Sequence, residues 1–501
     1  MKYNLFSPKR WLYSILFIAA NSLPAVKAQQ PGSFTANGRG INISSFNAEV
    51  KKAMKAVGVP GLSLAVIDKG KIAFYNTYGV KQTGTGEKVN GETIFEAASL
   101  SKPFLLYAIC KLVDDGKLDL DKPMYQYLPY QPLEHDPRYR LITPRMILHH
   151  SSGIENWRWM NNSDTLEILS DPGKKFVYSG EGYNYLAEVV ALILKESNKQ
   201  YMEEVVFKPL QLHRTYTSYS QDGKFPSNYA TGHNGLGKEQ KKWKNTEPVP
   251  SSAINTTAED YAKLVISIFD GHHLSNDRIR DILAPGIKLR SLDTATYITY
   301  GAGFEVQYSP KDTIVSHAGN NVGYKAYVYY SVVKKNGIVI FTNSDRGRTL
   351  IRKLDEMSVN ANIIELGSEY REDYPGYVET LLDTYRQQGA DNMFLRMENI
   401  KRQHAGKIPN STLTELGLIF LDENKTIARR ILDEEVLMYP ASVAAYELLG
   451  QLNMEQKEFE QAYRNLSRAK ELTPSSQDAE IEAQIGTCKR LLENKYANAR
   501  K

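Results

Sequence analysis

The sequence predicts an α+β protein, an α/β sandwich in which one antiparallel sheet is flanked by helices and carries a helical insert, followed by a C-terminal all-α repeat domain. Three observations predict it. Strand patterns occur twice near the N terminus and four times between Gly303 and Asn343, with a long helix-and-loop stretch between them. From Gly376 to the end only helical periodicity occurs. Within that tail lies a 34-residue pattern of alternating large and small residues.

Taken in order, residues 29–38 are rich in Gln, Pro, Gly, Ser and Asn and read as a flexible lead-in. Phe46 to Val57 has helical spacing. Gly61–Ile67 and Lys71–Tyr78, joined around Asp68-Lys69-Gly70, read as a β-hairpin. A helix is expected from Ser99 to Asp114, closed by Gly116. From about 117 to 290 helical pieces alternate with polar loops, the longest being Ser218 to Lys244. Strands return at Phe304–Tyr308, Thr313–Ser316, Tyr324–Val333 and Gly337–Thr342, and a helix follows over Leu350–Leu366 with Gly367 as its C-cap. Early and late strands then belong to one sheet assembled from both ends of the segment.

The chain has 501 residues and a formal charge of +5, from 62 Lys and Arg against 57 Asp and Glu. Four of those cations, Lys2, Lys9, Arg10 and Lys27, lie in the first 28 residues, which hold no acid. Without them the balance is 58 against 57, so nucleic acid and anionic membrane are poor candidate partners. The same residues read as an export signal, 1–28: a positive start, an apolar run from Trp11 to Ala20, and a small-residue cleavage site at Val26-Lys27-Ala28. That run is half of what a spanning helix needs. A periplasmic or secreted protein with no later membrane span is expected. The two cysteines, Cys110 and Cys488, form neither a disulfide framework nor a metal spacing, and no metal constellation occurs.

After Tyr374-Pro375-Gly376 the tail resembles the tetratricopeptide repeat, with Tyr446, Leu449, Gly450, Ala462, Leu466, Ala469 and Pro474 at the required spacings. Gly450 and Ala462 are small where two antiparallel helices must approach closely. A weaker copy carries Leu416, Gly417, Ala428, Leu432 and Pro440. Two copies are too few for independent stability. Either Tyr377–Gln403 supplies another hairpin, or the array docks on the rest of the chain and binds a protein partner.

Three short motifs carry chemistry. In Ser99-Leu100-Ser101-Lys102 the two ends share a helix face, so the Lys102 amine can take a proton from the Ser99 hydroxyl. Copies at Ser331/Lys334 and Ser467/Lys470 lie in a strand–turn and a repeat helix and read as solvated surface. Tyr178-Ser179-Gly180 is the second motif. A tyrosine acts as a base only where cations lower its pKa, and Lys102 is the cation expected to do so. His317-Ala318-Gly319 ends a strand before Asn320; His233-Asn234-Gly235 and His404-Ala405-Gly406 match its spacing but not its setting.

In this order the motifs resemble the serine β-lactamase and penicillin-recognising family, in its class C β-lactamase, DD-peptidase and esterase branch, over residues 40–367. Leu148-His149-His150-Ser151-Ser152-Gly153-Ile154, Ala253–Asp260, Tyr300–Phe304 and Phe341-Thr342-Asn343 are similar to secondary segments of that family. The resemblance implies a Ser99 nucleophile, proton transfer through Lys102 and Tyr178, and an oxyanion hole from the backbone N–H groups of Ser99 and Asn320. His317 then lines the site, with Gly180, Ala318 and Gly319 as substrate-contacting positions, and no cofactor or metal is required. His149 and His150 read as turn-stabilising.

Two departures matter. Gly180 stands where β-lactamases and many DD-peptidases carry Asn, which removes an amide that grips a substrate. His317 stands where classical β-lactamases carry Lys, which removes a permanent cation. Both favour an amide, D-amino-acid-containing peptide or ester substrate over efficient β-lactam hydrolysis. A true β-lactamase, or a catalytically idle penicillin-binding sensor or scaffold, remain the alternative readings. The Lys238–Lys244 run with Trp243 reads as a solvated loop.

Overall fold

The computed structural model describes residues 32–158, 164–217, 226–241, 249–291, 293–361, 376–403 and 408–499. Residues 1–28, expected to be an export signal, Gly367 and residues 242–244 of the Lys238–Lys244 run lie outside these residues. Strands β1 (Ser33–Ala36) and β2 (Arg39–Asn42) lead into α1 (Ile43–Ala56), then β3 (Gly61–Asp68) and β4 (Lys71–Gly79). The insert contains β5 (Phe95–Glu96), α2 (Lys102–Asp114), α3 (Pro144–Leu148), α4 (Gly180–Leu194), α5 (Asn198–Tyr201), β6 (Asn255–Thr256), α6 (Ala258–Phe269) and α7 (Asn276–Leu283). Then come β7 (Lys288–Ser291), β8 (Tyr297–Tyr300), β9 (Glu305–Ser309), β10 (Asp312–Asn321), β11 (Tyr324–Ser331), β12 (Asn336–Thr342) and α8 (Leu350–Met357).

The main sheet has eight strands in the order β4-β3-β12-β11-β10-β9-β8-β7, every neighbouring pair antiparallel. Residues from both ends of the segment meet where Val339 on β12 lies opposite Ala65 on β3. Every residue of β3 is buried, because helices cover both faces of the sheet. On one face Phe341, Val339 and Ala65 pack with Phe104 and Leu105 of α2 and Tyr261 of α6. On the other, Leu62, Leu64 and Ile340 pack with Phe46 and Val50 of α1 and Leu350 of α8.

The structure corrects the lead-in. Ser33–Ala36 pairs with Arg39–Asn42 in a hairpin. Asn37 and Gly38 both take positive φ, 51° and 77°, at its two-residue turn, the chemistry such turns require. Phe34 stacks on Phe74 at 4.6 Å, so hydrophobic burial holds this piece to the sheet. Two strands at the far sheet edge, β7 and β8, extend the sheet beyond the expected set; β7 is a short edge strand carrying Lys288 and Arg290, with little apolar signal. The helix expected to reach Leu366 ends at Met357, and Asn360 takes a left-handed φ of 52° beyond it.

The C-terminal region is all helical: α9 (Tyr377–Gln388), α10 (Ala390–Gln403), α11 (Asn410–Glu423), α12 (Lys425–Met438), α13 (Val443–Glu455), α14 (Phe459–Leu472) and α15 (Ala479–Ala499). One contact recurs in it. A Cβ on Gly417 of α11 would lie 2.6 Å from Leu432 of α12, and a Cβ on Gly450 of α13 would lie 2.6 Å from Leu466 of α14. Glycine is what lets each pair of helices close. Ion pairs dock these helices on the sheet-bearing part: the buried Arg346 pairs with Glu415, Lys238 pairs with Glu423 at 2.7 Å, and Lys175 pairs with Asp478 at 2.6 Å and Glu482 at 2.9 Å.

Candidate active site

The first motif sits where a strand turns sharply into a helix. β5 pairs with β6, and the Ala97 N–H donates to Ile254 O at 2.8 Å. Ala98 then adopts a left-handed φ of 50°, unusual for a residue with a Cβ, and the chain makes one 3₁₀ turn, Ala98–Ser101, before α2 begins. Ser101 secures the turn. Its hydroxyl donates to Ala98 O at 2.6 Å and accepts from the Ile254 N–H at 3.0 Å. Ser99 is left lining the cleft, and Ser101 is a positioning residue that the motif spacing did not single out.

Lys102 is fully buried behind Ser99. Its Nζ donates to Ser99 Oγ at 3.3 Å and to Ser251 O at 3.1 Å, and no carboxylate pairs with it among the described residues. Burial alone pushes the amine down from 10.5 to about 7. A substantial neutral fraction, able to accept a proton, is therefore present near neutral pH.

Tyr178 lies on the approach to α4, whose N-cap Ser179 accepts from the Gly182 N–H at 2.9 Å. The Tyr178 phenol faces the Ser99 side chain across the cleft. The expected lowering of this phenol by Lys102 does not occur: burial pushes it well above its ordinary value, with Glu305 and Glu480 adding to the rise. The geometry explains the difference. The Lys102 amine sits over the ring face, 4.7 Å from its centre, rather than beside an ionised oxygen. His150 steadies the segment, accepting from the Ser179 N–H at 3.0 Å and stacking on the Tyr178 ring at 4.1 Å. Neither His149 nor His150 lines the cleft.

Gly180 is a packing requirement. A Cβ there would lie 2.3 Å from the Trp157 indole. The tryptophan occupies the space a side chain at 180 would need, while the Gly180 N–H donates to Asn156 Oδ1 at 2.9 Å. Asn156 and Trp157 both line the cleft and escaped sequence reasoning; a Trp in a polar loop carries no periodic signal.

The third motif is on β10. Gly319 passes so close to the turn that carries Ser99 that a Cβ would lie 2.3 Å from Ala97 O, so glycine is what lets the strand edge reach the turn. Asn320 follows, exposed in the same cleft as Ser99, with Ala318 beside it. His317 is buried between two partners. Its Nδ1 is 2.8 Å from Ala318 O, which only accepts, so Nδ1 carries the proton and Nε2 accepts from the Tyr300 hydroxyl at 3.0 Å. Burial and the nearby Lys102 push the imidazole down to about 3. His317 is therefore neutral, an orienting hydrogen-bond partner in place of a cation.

All three motifs thus converge on one cleft of about 1540 Å³. No group of three or more potential ligands for a metal occurs among the described residues. A neutralisable amine beside a hydroxyl, with a phenol facing that hydroxyl and a strand edge alongside, can activate a nucleophile toward a carbonyl.

Comparison with known proteins gives a consistent result. The family model described as Beta-lactamase matches residues 46–357, more than half of the chain. Protein flp of Staphylococcus aureus is 24% identical over 349 residues, covering 63% of this chain and 67% of its own. Among solved structures, a class C beta-lactamase is similar with a TM-score of 0.53 at 21% identity, over 64% of this chain and 96% of its own. A D-alanine carboxypeptidase from Burkholderia cenocepacia is similar with a TM-score of 0.52 at 21% identity, over 63% and 97%.

Proposed function

Because the chain belongs to the beta-lactamase family, we propose that it is an exported serine hydrolase that opens an amide, D-amino-acid-containing peptide or ester through a Ser99 acyl-enzyme. The observation that carries this reading is the buried Lys102 amine, brought down to about 7 and held 3.3 Å from Ser99 Oγ. Ser99 Oγ bonds to the substrate carbonyl carbon as its proton passes to Lys102 Nζ. The resulting oxyanion is received by the backbone N–H groups of Ser99 and Asn320.

Collapse breaks the bond to the leaving nitrogen or oxygen, which takes the proton by way of the Tyr178 hydroxyl. Tyr178 acts as a neutral relay, in keeping with its raised pKa. Water then attacks the acyl-enzyme by the reverse proton route and frees Ser99. His317 and Tyr300 hold the β10 edge in register for the substrate.

Trp157 against Gly180 and the neutral His317 speak against efficient β-lactam turnover. Both family features that grip a β-lactam's amide and carboxylate are replaced. Export rests on the N-terminal pattern, together with the finding that no described helix is long and apolar enough to cross a membrane.

The test is mass spectrometry of the purified protein with an activated ester and with a penicillin-type acylating probe. Mass addition at Ser99, absent in Ser99→Ala, is expected. Unchanged labelling of the variant refutes the assignment. Stable acylation without release by any ester or D-alanyl peptide supports the idle penicillin-binding sensor instead.

A further inference from the structure

The cleft that holds Ser99 has two walls, and the second comes from the C-terminal helices. Val443, Ala444 and Glu447 at the start of α13 line it, as do Gln477, Glu480 and Ile481 around the start of α15. Two further observations place these residues against the catalytic motifs. The Phe176 N–H, two residues before Tyr178, donates to Ser476 O at 2.8 Å, and Gln477 Nε2 donates to Leu289 O at 2.6 Å. The charge of Glu480 is felt at the Tyr178 phenol itself. Lys175, beside Phe176, anchors the same corner through Asp478 and Glu482.

A volume of about 1540 Å³ exceeds the ~300–1,000 Å³ typical of small-molecule pockets. The lining mixes carboxylates (Glu305, Glu447, Glu480) and cations (Lys241, Arg290, Arg348) with aromatic and aliphatic groups. That mixture suits a peptide, whose backbone and side chains alternate polar and apolar. It does not suit an alkyl chain, which wants a continuous apolar wall.

Building on the serine-hydrolase reading above, we propose that the C-terminal helices are the specificity wall of the cleft: Ala444, Glu447 and Glu480 contact the remote end of an extended peptide substrate whose scissile carbonyl lies at Ser99. The helical region is then part of the substrate site, and its partner is the substrate rather than a separate protein. Removing the wall's shape changes which substrates are used, not the chemistry of acylation.

The experiment uses the full chain and measures kcat/KM for p-nitrophenyl acetate, p-nitrophenyl decanoate and peptides of two to six residues ending in D-alanyl-D-alanine. In the wild type kcat/KM should rise about ten-fold or more from the shortest to the longest peptide. Ala444→Trp should lower the ratio of long-peptide to acetate kcat/KM about ten-fold. Glu480→Gln, at an exposed position, should lower the ratio of long-peptide to shortest-peptide kcat/KM, in which any effect of the lost charge on Tyr178 cancels, through KM more than kcat, and it decides the matter if Ala444→Trp melts early.

A flat length profile in the wild type, or an unchanged ratio in both variants, overturns the proposal while Ser99 acylation stands. A preference for the decanoate over the long peptides assigns the wall to an alkyl chain and overturns the peptide. Failure of every probe to acylate Ser99 overturns the serine-hydrolase reading itself, and this one with it.

Discussion

Replacing Lys102 with methionine should make the protein more stable and inactive at once. The amine is fully buried, without a described carboxylate partner, and burial moves it from 10.5 to about 7. That displacement corresponds to about 5 kcal/mol, at ~1.4 kcal/mol for each tenfold loss of proton affinity. It is the cost of holding a proton in this site relative to the unfolded chain. Methionine fills similar volume without a charge. It forfeits the hydrogen bonds to Ser99 Oγ and Ser251 O, at about 1 kcal/mol each. A net gain of about 3 kcal/mol at or below neutral pH follows.

The pH dependence fixes the sign. The folded pKa lies below the unfolded one, so between about pH 7 and 10.5 the unfolded chain binds more protons. Wild-type stability therefore rises with pH through that window, by up to ~1.4 kcal/mol per unit. Below about pH 7 both states are protonated and the burden is complete. The methionine variant lacks this slope, so its advantage should be largest at pH 6.5 and much reduced at pH 9.5.

Thermal unfolding followed by tryptophan fluorescence at the two pH values measures the gap, expected to be several degrees at pH 6.5, while ester turnover checks the loss of activity. A variant that melts at or below wild type at pH 6.5, or a gap equal at both pH values, would refute the reasoning. Lys102 would then be a solvated or paired cation and not the base.

Wild-type kcat/KM for an activated ester should rise along a single sigmoid with a midpoint near 7, the Lys102 value. The His317 imidazole, held at about 3, should keep one ring proton on Nδ1 from pH 8 to 5, measured by ¹⁵N NMR; protonation of both nitrogens near 6.5 would contradict its burial. Gly180→Asn should destabilise the fold by ~1–3 kcal/mol through collision with Trp157, read as a lower melting temperature, and Gly180→Asn combined with Trp157→Ala should recover most of it. Ser101→Ala should cost ~1–3 kcal/mol by leaving the Ile254 N–H without its acceptor, and should lower kcat more than KM as the Ser251–Ile254 segment and Lys102 lose their register.

Much of the candidate site's geometry was legible because it is local. Ser99 and Lys102 lie one helical turn apart, so their spacing alone put hydroxyl and amine together. The hairpin β3–β4 and the strands β9 to β12 were legible from alternation and turn residues. The edge strand β7 and its neighbour β8 were not, since strands of four residues are too short to show a period. Trp157 and Asn156 were invisible for another reason: their role depends on Gly180, which reaches them only through the fold.

By itself the sequence determined which three motifs to bring together and that one sheet is built from both ends of its segment, because those readings follow from spacing and from burial patterns along the chain. Only the tertiary structure decided the protonation states. Packing buries Lys102, Tyr178 and His317 together, which pushes the lysine amine down toward neutrality, the tyrosine phenol up and the histidine imidazole down. It also decided that residues more than 300 positions from Ser99, at the starts of α13 and α15, close the far side of its cleft. Desolvation and docking are properties of the assembled molecule, and no local pattern encodes them.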